Sequence, residues 1–171
     1  IGKAVNHTQS RRVWDATAGL GRDGFVLAGL GLEVTLFERH PAVAALLQDG
    51  LDRAAMAPAS AEIAARMQLI FGELATYTTP SDSLPEIVYL DPMYPERQKS
   101  AAVKKEMAYF HQLVGAQTDE PELLAHALRT ARKRVVVKRP RLGDFLAQQK
   151  PAYQYSGKST RFDVYLPHAQ Q

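Results

Sequence analysis

The segment with the clearest chemical content is Asp91-Pro92-Met93-Tyr94-Pro95. Its two prolines fix φ and remove backbone donors, so the Asp91 carboxylate is held still and the Pro92 carbonyl stays available as an acceptor. Two acceptors so placed can grip both hydrogens of an exocyclic amine on a nucleobase. Such an amine is a poor nucleophile because its lone pair is delocalised into the ring. Taking its hydrogens turns the lone pair toward an electrophile, so the work is mostly positioning and electrostatics. Tyr94 adds an aromatic face on which a flipped-out base could stack. Asp91, Pro92 and Tyr94 are the candidate catalytic residues.

A second constellation lies in DATAGLGRDG, Asp15 to Gly24, where Gly19, Gly21 and Gly24 have the G-x-G-x-x-G spacing. Glycines there permit positive φ in a tight turn and close approach of backbone to a ligand. Glu38, roughly 20 residues on, can accept both ribose hydroxyls of an adenosine-containing cofactor. Two cofactor classes fit, a nicotinamide dinucleotide and S-adenosylmethionine. A pyrophosphate favours an uncluttered helix N-terminus, whereas Asp15 and Asp23 flank these glycines. S-adenosylmethionine has no phosphate, and its ammonium and sulfonium are cations that carboxylates can meet. On that reading Asp15 takes the ammonium, Arg22 pairs the carboxylate, and Glu73 is placed for the adenine amine. Thr17 in the turn and Gly72 beside Glu73 belong to the same candidate cofactor set.

These residues need a scaffold that brings strand ends together. Apolar, β-rich runs alternate with helical patterns: strands are predicted at Arg12 to Asp15, Val34 to Glu38, Met67 to Phe71, Glu86 to Leu90, Arg134 to Lys138 and Arg161 to Leu166. A helix follows the glycine turn to about Leu30, and another starts at Pro41, with apolar residues at three- and four-residue spacing to about Ala57. Gly143 to Gly157 reads as a turn-rich stretch. The alternation predicts an α/β fold, Rossmann-like, with a mostly parallel sheet and helices on both faces, whose ligands sit beyond the carboxyl ends of the strands.

Composition bounds the alternatives. A chain of 171 residues with 46% hydrophobic and 23% charged residues is ordinary for one domain and too apolar for a disordered one. With no cysteine, thiolate zinc sites and thiol nucleophiles are excluded. His40, His111 and His126 show no metal-like pairing, so no metal is expected. No apolar run approaches the roughly 18 residues of a membrane span, and a cytoplasmic location is expected. The net charge of +3 is unevenly spread: residues 1–90 carry 7 Lys/Arg and 10 Asp/Glu, residues 91–171 carry 14 and 8. A basic half of this kind suits a polyanion.

Taken together, DATAGLGRDG, LFERHP, VYLDPMYP, KSAAVKKEM, RVVVKRP and GKSTRFDVYL resemble the RsmJ family over nearly the whole chain. Those are bacterial S-adenosylmethionine-dependent methyltransferases that act on a guanine exocyclic amine (N2) of small-subunit (16S) ribosomal RNA. The resemblance implies cofactor contacts at Arg22 and Asp23, at Glu38 and Arg39, around Glu73 and at Asp91, with the catalytic loop at Asp91 to Tyr94. It implies small-subunit ribosomal RNA, or the assembling subunit, as partner. Lys99, Lys104, Lys105, Lys138, Arg139 and Arg141 then become candidate RNA contacts, Lys138 and Arg139 emerging at the cleft mouth to meet phosphates. Residues 1–171 are expected to form a single methyltransferase domain, without the small additional N-terminal region that family members carry. Two rivals compete: an NAD(P)-dependent oxidoreductase built on the same turn, which leaves Asp91 to Pro95 without a role, and a non-catalytic RNA-binding module, which leaves Asp15, Glu38 and Asp91 unexplained.

Overall fold

A computed structural model describes residues 1–92 and 120–167 of the chain. Among these residues seven strands form one sheet: β1 (Arg12–Asp15), β2 (Glu33–Glu38), β3 (Met67–Phe71), β4 (Ile87–Leu90), β5 (Arg134–Pro140), β6 (Tyr153–Ser156) and β7 (Thr160–Tyr165). Their order across the sheet is β3-β2-β1-β4-β5-β7-β6. The first five are parallel, while β7 runs antiparallel to both β5 and β6. The chain leaves β1 toward β2 on one side and returns as β4 on the other. A topological switch point therefore opens beyond the carboxyl ends of β1 and β4.

Strand composition explains the burial. A parallel strand covered on both faces reads as a continuous apolar run, and all four residues of β4 (IVYL) are buried. Successive side chains go to opposite faces. Val13, Leu36, Ile87, Tyr89, Val136 and Val164 meet residues of α1 (Gly2–Val5), α2 (Arg22–Gly29) and α3 (Pro41–Met56), with Ile63 of α4 (Ala61–Ala64) against them. Trp14, Phe37, Val88, Leu90, Val135, Val137 and Tyr165 form the second core with Leu124 and Ala127 of α5 (Glu120–Thr130) and with Leu74 and Leu146 of two short 3-10 turns. Helices cover both faces, as the sequence predicts.

Three differences from the sequence reading have local causes. Strand β6 lies inside the stretch read as turn-rich; YQYS is a solvent-exposed edge strand with little apolar signal. Strand β4 starts at Ile87 because Glu86 is otherwise engaged: its carboxylate accepts from the Arg11 and Arg12 amides and from Lys133 Nζ at 2.6 Å, clasping the starts of β1, β4 and β5. Strand β5 continues past Lys138 to Pro140, drawn out by its pairing with β7. Among the described residues no helix is long and apolar enough to cross a membrane.

Candidate functional site

The glycine turn is shaped by sterics and packing. Gly19 (φ 54°) and Gly21 (φ 72°) are left-handed. A Cβ on Gly21 would sit 2.6 Å from Leu47 Cδ1, and one on Gly24 would sit 2.5 Å from Leu36 Cδ2. Gly24 thus lets α2 lie close against β2, and the turn is drawn down onto the ends of β1 and β2.

Glu38 ends β2 beneath this turn and is buried. Its Oε2 accepts from the Gly19 amide at 3.0 Å and its Oε1 from the His40 amide at 2.7 Å. Both oxygens keep a further lone pair for a diol. Gly72, just past β3, donates to the Glu38 carbonyl at 3.0 Å, has φ 144°, and leaves the position of a Cβ with nothing within 4 Å. Beside it, Glu73 pairs with Arg39 at 3.2 Å, both half exposed. Arg22 stands exposed at the start of α2.

The switch point itself holds three carboxyl groups around one ammonium. Lys138 of β5 reaches Asp23 Oδ2 at 2.7 Å and Asp91 Oδ2 at 2.9 Å. Tyr89 of β4 donates its phenol to Asp23 Oδ2 at 2.7 Å. The Asp91 amide donates to Thr17 Oγ1 at 2.6 Å, and the Thr17 amide donates to Asp15 Oδ1 at 3.1 Å, so Thr17 links the ends of β1 and β4. Burial pushes the Asp15 carboxyl up to about 7 against the pull of the Thr17 amide, and Asp23 and Asp91 add to the rise. Asp91 is also raised, first by burial, with the Lys138 ammonium pulling the other way. Burial draws Lys138 down, but the Asp91 and Asp23 charges outweigh it and leave its ammonium above the ordinary value. Burial, then the same two charges, hold the Tyr89 phenol far above its usual range, so it remains a donor.

This arrangement fits a cationic ligand and opposes an anionic one. Carboxyls outnumber cations in a partly water-excluded site, where a pyrophosphate would meet Asp23 in the first turn of α2. An open groove of about 780 Å³, lined by Leu84, Leu128, Arg129 and Arg132, lies toward the amino ends of β4 and β5 and contains none of these carboxyls.

The placement meets one expectation for the basic residues at the end of β5 and corrects the other. Lys138 does point into the cleft, but it is ion-paired to Asp23 and Asp91. Arg139, one residue on, faces the opposite side of the sheet by strand alternation and does not emerge at the cleft mouth. It is 2% exposed, pairs with Glu120 at 3.1 Å and donates to the Asp144 carbonyl. Arg141 is exposed. Met93, Tyr94, Lys99, Lys104, Lys105 and His111 lie outside the described residues. Tyr89 escaped the sequence reading because a tyrosine inside an apolar strand reads as core; its hydroxyl has meaning only once Asp23 is folded over it.

The sheet order, the glycine turn between β1 and α2, and the acidic residues at the ends of β1, β2 and β4 define a Rossmann-like S-adenosylmethionine-dependent methyltransferase. The model of a family described as putative SAM-dependent methyltransferase matches residues 1–167. The chain is 66% identical over 171 residues to ribosomal RNA small subunit methyltransferase J of Neisseria gonorrhoeae, covering 98% of this chain and 68% of that protein. It is 55% identical to the protein of the same name from Thioalkalivibrio sulfidiphilus, over 97% of this chain and 67% of that one. A crystal structure of a SAM-dependent methyltransferase from Neisseria gonorrhoeae superposes with a TM-score of 0.80 at 58% identity, covering 99% of this chain and 67% of that one. An RNA methyltransferase from Salinibacter ruber in complex with S-adenosyl-L-homocysteine shares the fold, with a TM-score of 0.56 at 13% identity. The chain belongs to the ribosomal RNA small subunit methyltransferase J family. Its cofactor is S-adenosylmethionine, which sets aside the nicotinamide and non-catalytic readings.

Proposed function

We propose that this enzyme methylates the exocyclic N2 amine of a guanosine in small-subunit ribosomal RNA. It acts in the cytoplasm on the RNA or the assembling subunit, with residues 1–171 as one methyltransferase domain. The observation that carries the reading is the Asp91 carboxylate at the end of β4, one oxygen held by Lys138 and the next residue Pro92, in a chain 66% identical to a small-subunit ribosomal RNA methyltransferase.

S-adenosylmethionine, when bound, supplies an electrophilic methyl group on a sulfonium. Asp15 and Asp23 would face its cationic groups, Arg22 its carboxylate and Glu38 its ribose, with Thr17, Gly19, Gly21, Arg39, Gly72 and Glu73 completing the site. With Oδ2 engaged by Lys138, Asp91 accepts an amine hydrogen through Oδ1 and the Pro92 carbonyl accepts the other. That pairing turns the nitrogen lone pair outward. Positive charge developing on the nitrogen then faces a carboxylate in a site of low dielectric. The same carboxylate, raised by burial, is suited to take the proton the product must shed. Tyr94 supplies a stacking face, and Lys99, Lys104, Lys105 and Arg141 meet phosphates.

The test uses methyl-labelled cofactor and small ribosomal subunits from cells lacking this activity, followed by digestion to nucleosides and mass spectrometry. N2-methylguanosine is expected. Label on another nucleoside, or none, would overturn the assignment.

A further inference from the structure

The loop after β5 presents Leu142 at 94% exposure, the highest among the described large apolar side chains. A lone exposed leucine needs no explanation; the backbone beneath this one does. Arg161 of β7 is buried and paired with the buried Asp163 through Nε at 2.9 Å and Nη2 at 3.1 Å. Its remaining Nη1 donates to the Arg141 carbonyl at 3.0 Å and the Gly143 carbonyl at 2.7 Å, the residues on either side of Leu142. The Arg141 amide donates to the Ser159 carbonyl at 2.8 Å and the Gly143 amide to the Pro140 carbonyl at 3.0 Å. A Cβ on Gly143 would come within 3.3 Å of Pro140 Cδ, so the turn is tight as well as bonded. A buried ion pair therefore fixes a loop tip whose one large apolar side chain is almost fully exposed. Fixing a contact residue in advance lowers the entropy lost when a partner binds.

Position and charge indicate the partner. Leu142 is four residues beyond Lys138, so the two Cα atoms are within about 14 Å along the chain. It stands at the same sheet edge as Asp91. Exposed Arg141 precedes it, and exposed Lys158 adjoins Ser159, the residue that holds the Arg141 amide. Exposed Asp144 lies two residues beyond Leu142, so the tip with Arg141 and Lys158 beside it is net positive. An apolar tip beside such cations matches the surface of a nucleic acid, phosphates outside and stacked bases within, whereas a protein partner would give the two cations no regular anions to meet. Apolar side chains inserted between base steps are an established means of unstacking them.

Resting on the RNA-substrate reading above, we infer that Leu142 is a wedge: it enters the base stack of the substrate RNA beside the target guanine, occupying the gap left when that base turns toward Asp91. It is a positioning residue, acting through the conformation of the RNA.

The experiment compares full-chain wild type, Leu142→Ala and Leu142→Met on small subunits lacking the mark. Leu142→Ala is expected to lower kcat/KM for the subunit by about tenfold or more, the scale of one lost stacking contact, while Leu142→Met stays within about threefold of wild type. Cofactor affinity by calorimetry and Tm are expected to be unchanged. A photocrosslinking residue at position 142 is expected to couple to ribosomal RNA. Leu142→Ala within about twofold of wild type, a fall in Tm that marks packing, or crosslinks only to protein would each overturn the wedge. A wild-type enzyme with no activity on any RNA would instead remove the substrate reading beneath it.

Discussion

Lys138 of β5 holds Asp91 of the β4 end through a 2.9 Å bond from Nζ to Oδ2. The cation that the sequence suggested for RNA phosphates is thus ion-paired to the carboxylate proposed to grip the guanine amine. This contact sets the first two predictions.

Asp91→Asn keeps size and one acceptor oxygen but replaces an anion with an amide whose NH₂ can face the guanine amine donor to donor. Transition-state stabilisation falls more than ground-state binding, because positive charge grows on the nitrogen only as the methyl arrives. Single-turnover methylation at saturating enzyme and cofactor should slow by about 10²-fold or more, with RNA affinity changed far less. A rate within about threefold of wild type, roughly 0.7 kcal/mol of barrier, would exclude the proposed role.

Lys138→Met removes the cation between Asp23 and Asp91. The Asp91 carboxyl, already raised by burial, rises further without its ammonium. Its deprotonated form then requires higher pH, so the acidic limb of the pH–rate profile should move upward. The salt dependence of RNA binding is expected to stay as in wild type, since no phosphate contact is lost. A flattened salt slope with an unmoved pH profile would return Lys138 to the RNA surface.

Asp15 has a carboxyl near 7 in the folded protein against an ordinary 3.8. Between those values the unfolded chain has released its proton and the folded one retains it. Stability contributed at this site therefore declines as pH rises from about 4 to 7 and is level above. Asp15→Asn abolishes the decline. The apoprotein variant should gain in Tm relative to wild type at pH 8 and much less at pH 5, while losing S-adenosylmethionine affinity at both. Equal Tm differences at the two pH values would show that Asp15 does not titrate as described.

Glu38→Ala removes the acceptor of the Gly19 and His40 amides together with the proposed ribose acceptor. Calorimetric affinity for S-adenosylmethionine should weaken by about 1–3 kcal/mol, with a lower apoprotein Tm from the loosened turn. Unchanged affinity would remove Glu38 from the cofactor site.

At the opposite end of the sheet, burial pushes the Glu86 carboxyl up, but Lys133 and the Arg11 and Arg12 amides outweigh it and hold it at about 2. A carboxyl depressed on folding stabilises the protein above its ordinary value of 4.5 and loses that contribution as pH falls toward 2. Glu86→Gln should lower stability by about 1–3 kcal/mol near neutrality, and the Tm gap to wild type should narrow below pH 4.5. A pH-independent gap would mean that packing, not charge, sets the effect.

The sequence by itself determined the scaffold and the chemical character of the site. Apolar, β-rich runs ending in Asp15, Glu38 and Asp91 place three carboxylates at one end of a parallel sheet, because parallel strands all end on the same side. The glycine spacing specified a turn that only left-handed residues can make. These are local properties, written in short stretches of chain. Tertiary structure alone decided the partners. Lys138 and Arg139 are equivalent in sequence, yet one enters the cleft and the other is buried against Glu120, because alternation and register with β7 assign their faces. Tyr89 becomes a donor to Asp23 across 66 residues of chain, and Arg161 secures the loop bearing Leu142 from a strand 18 to 20 residues away. Contacts over such separations exist only when the sheet has closed its order, and no window of sequence contains both partners.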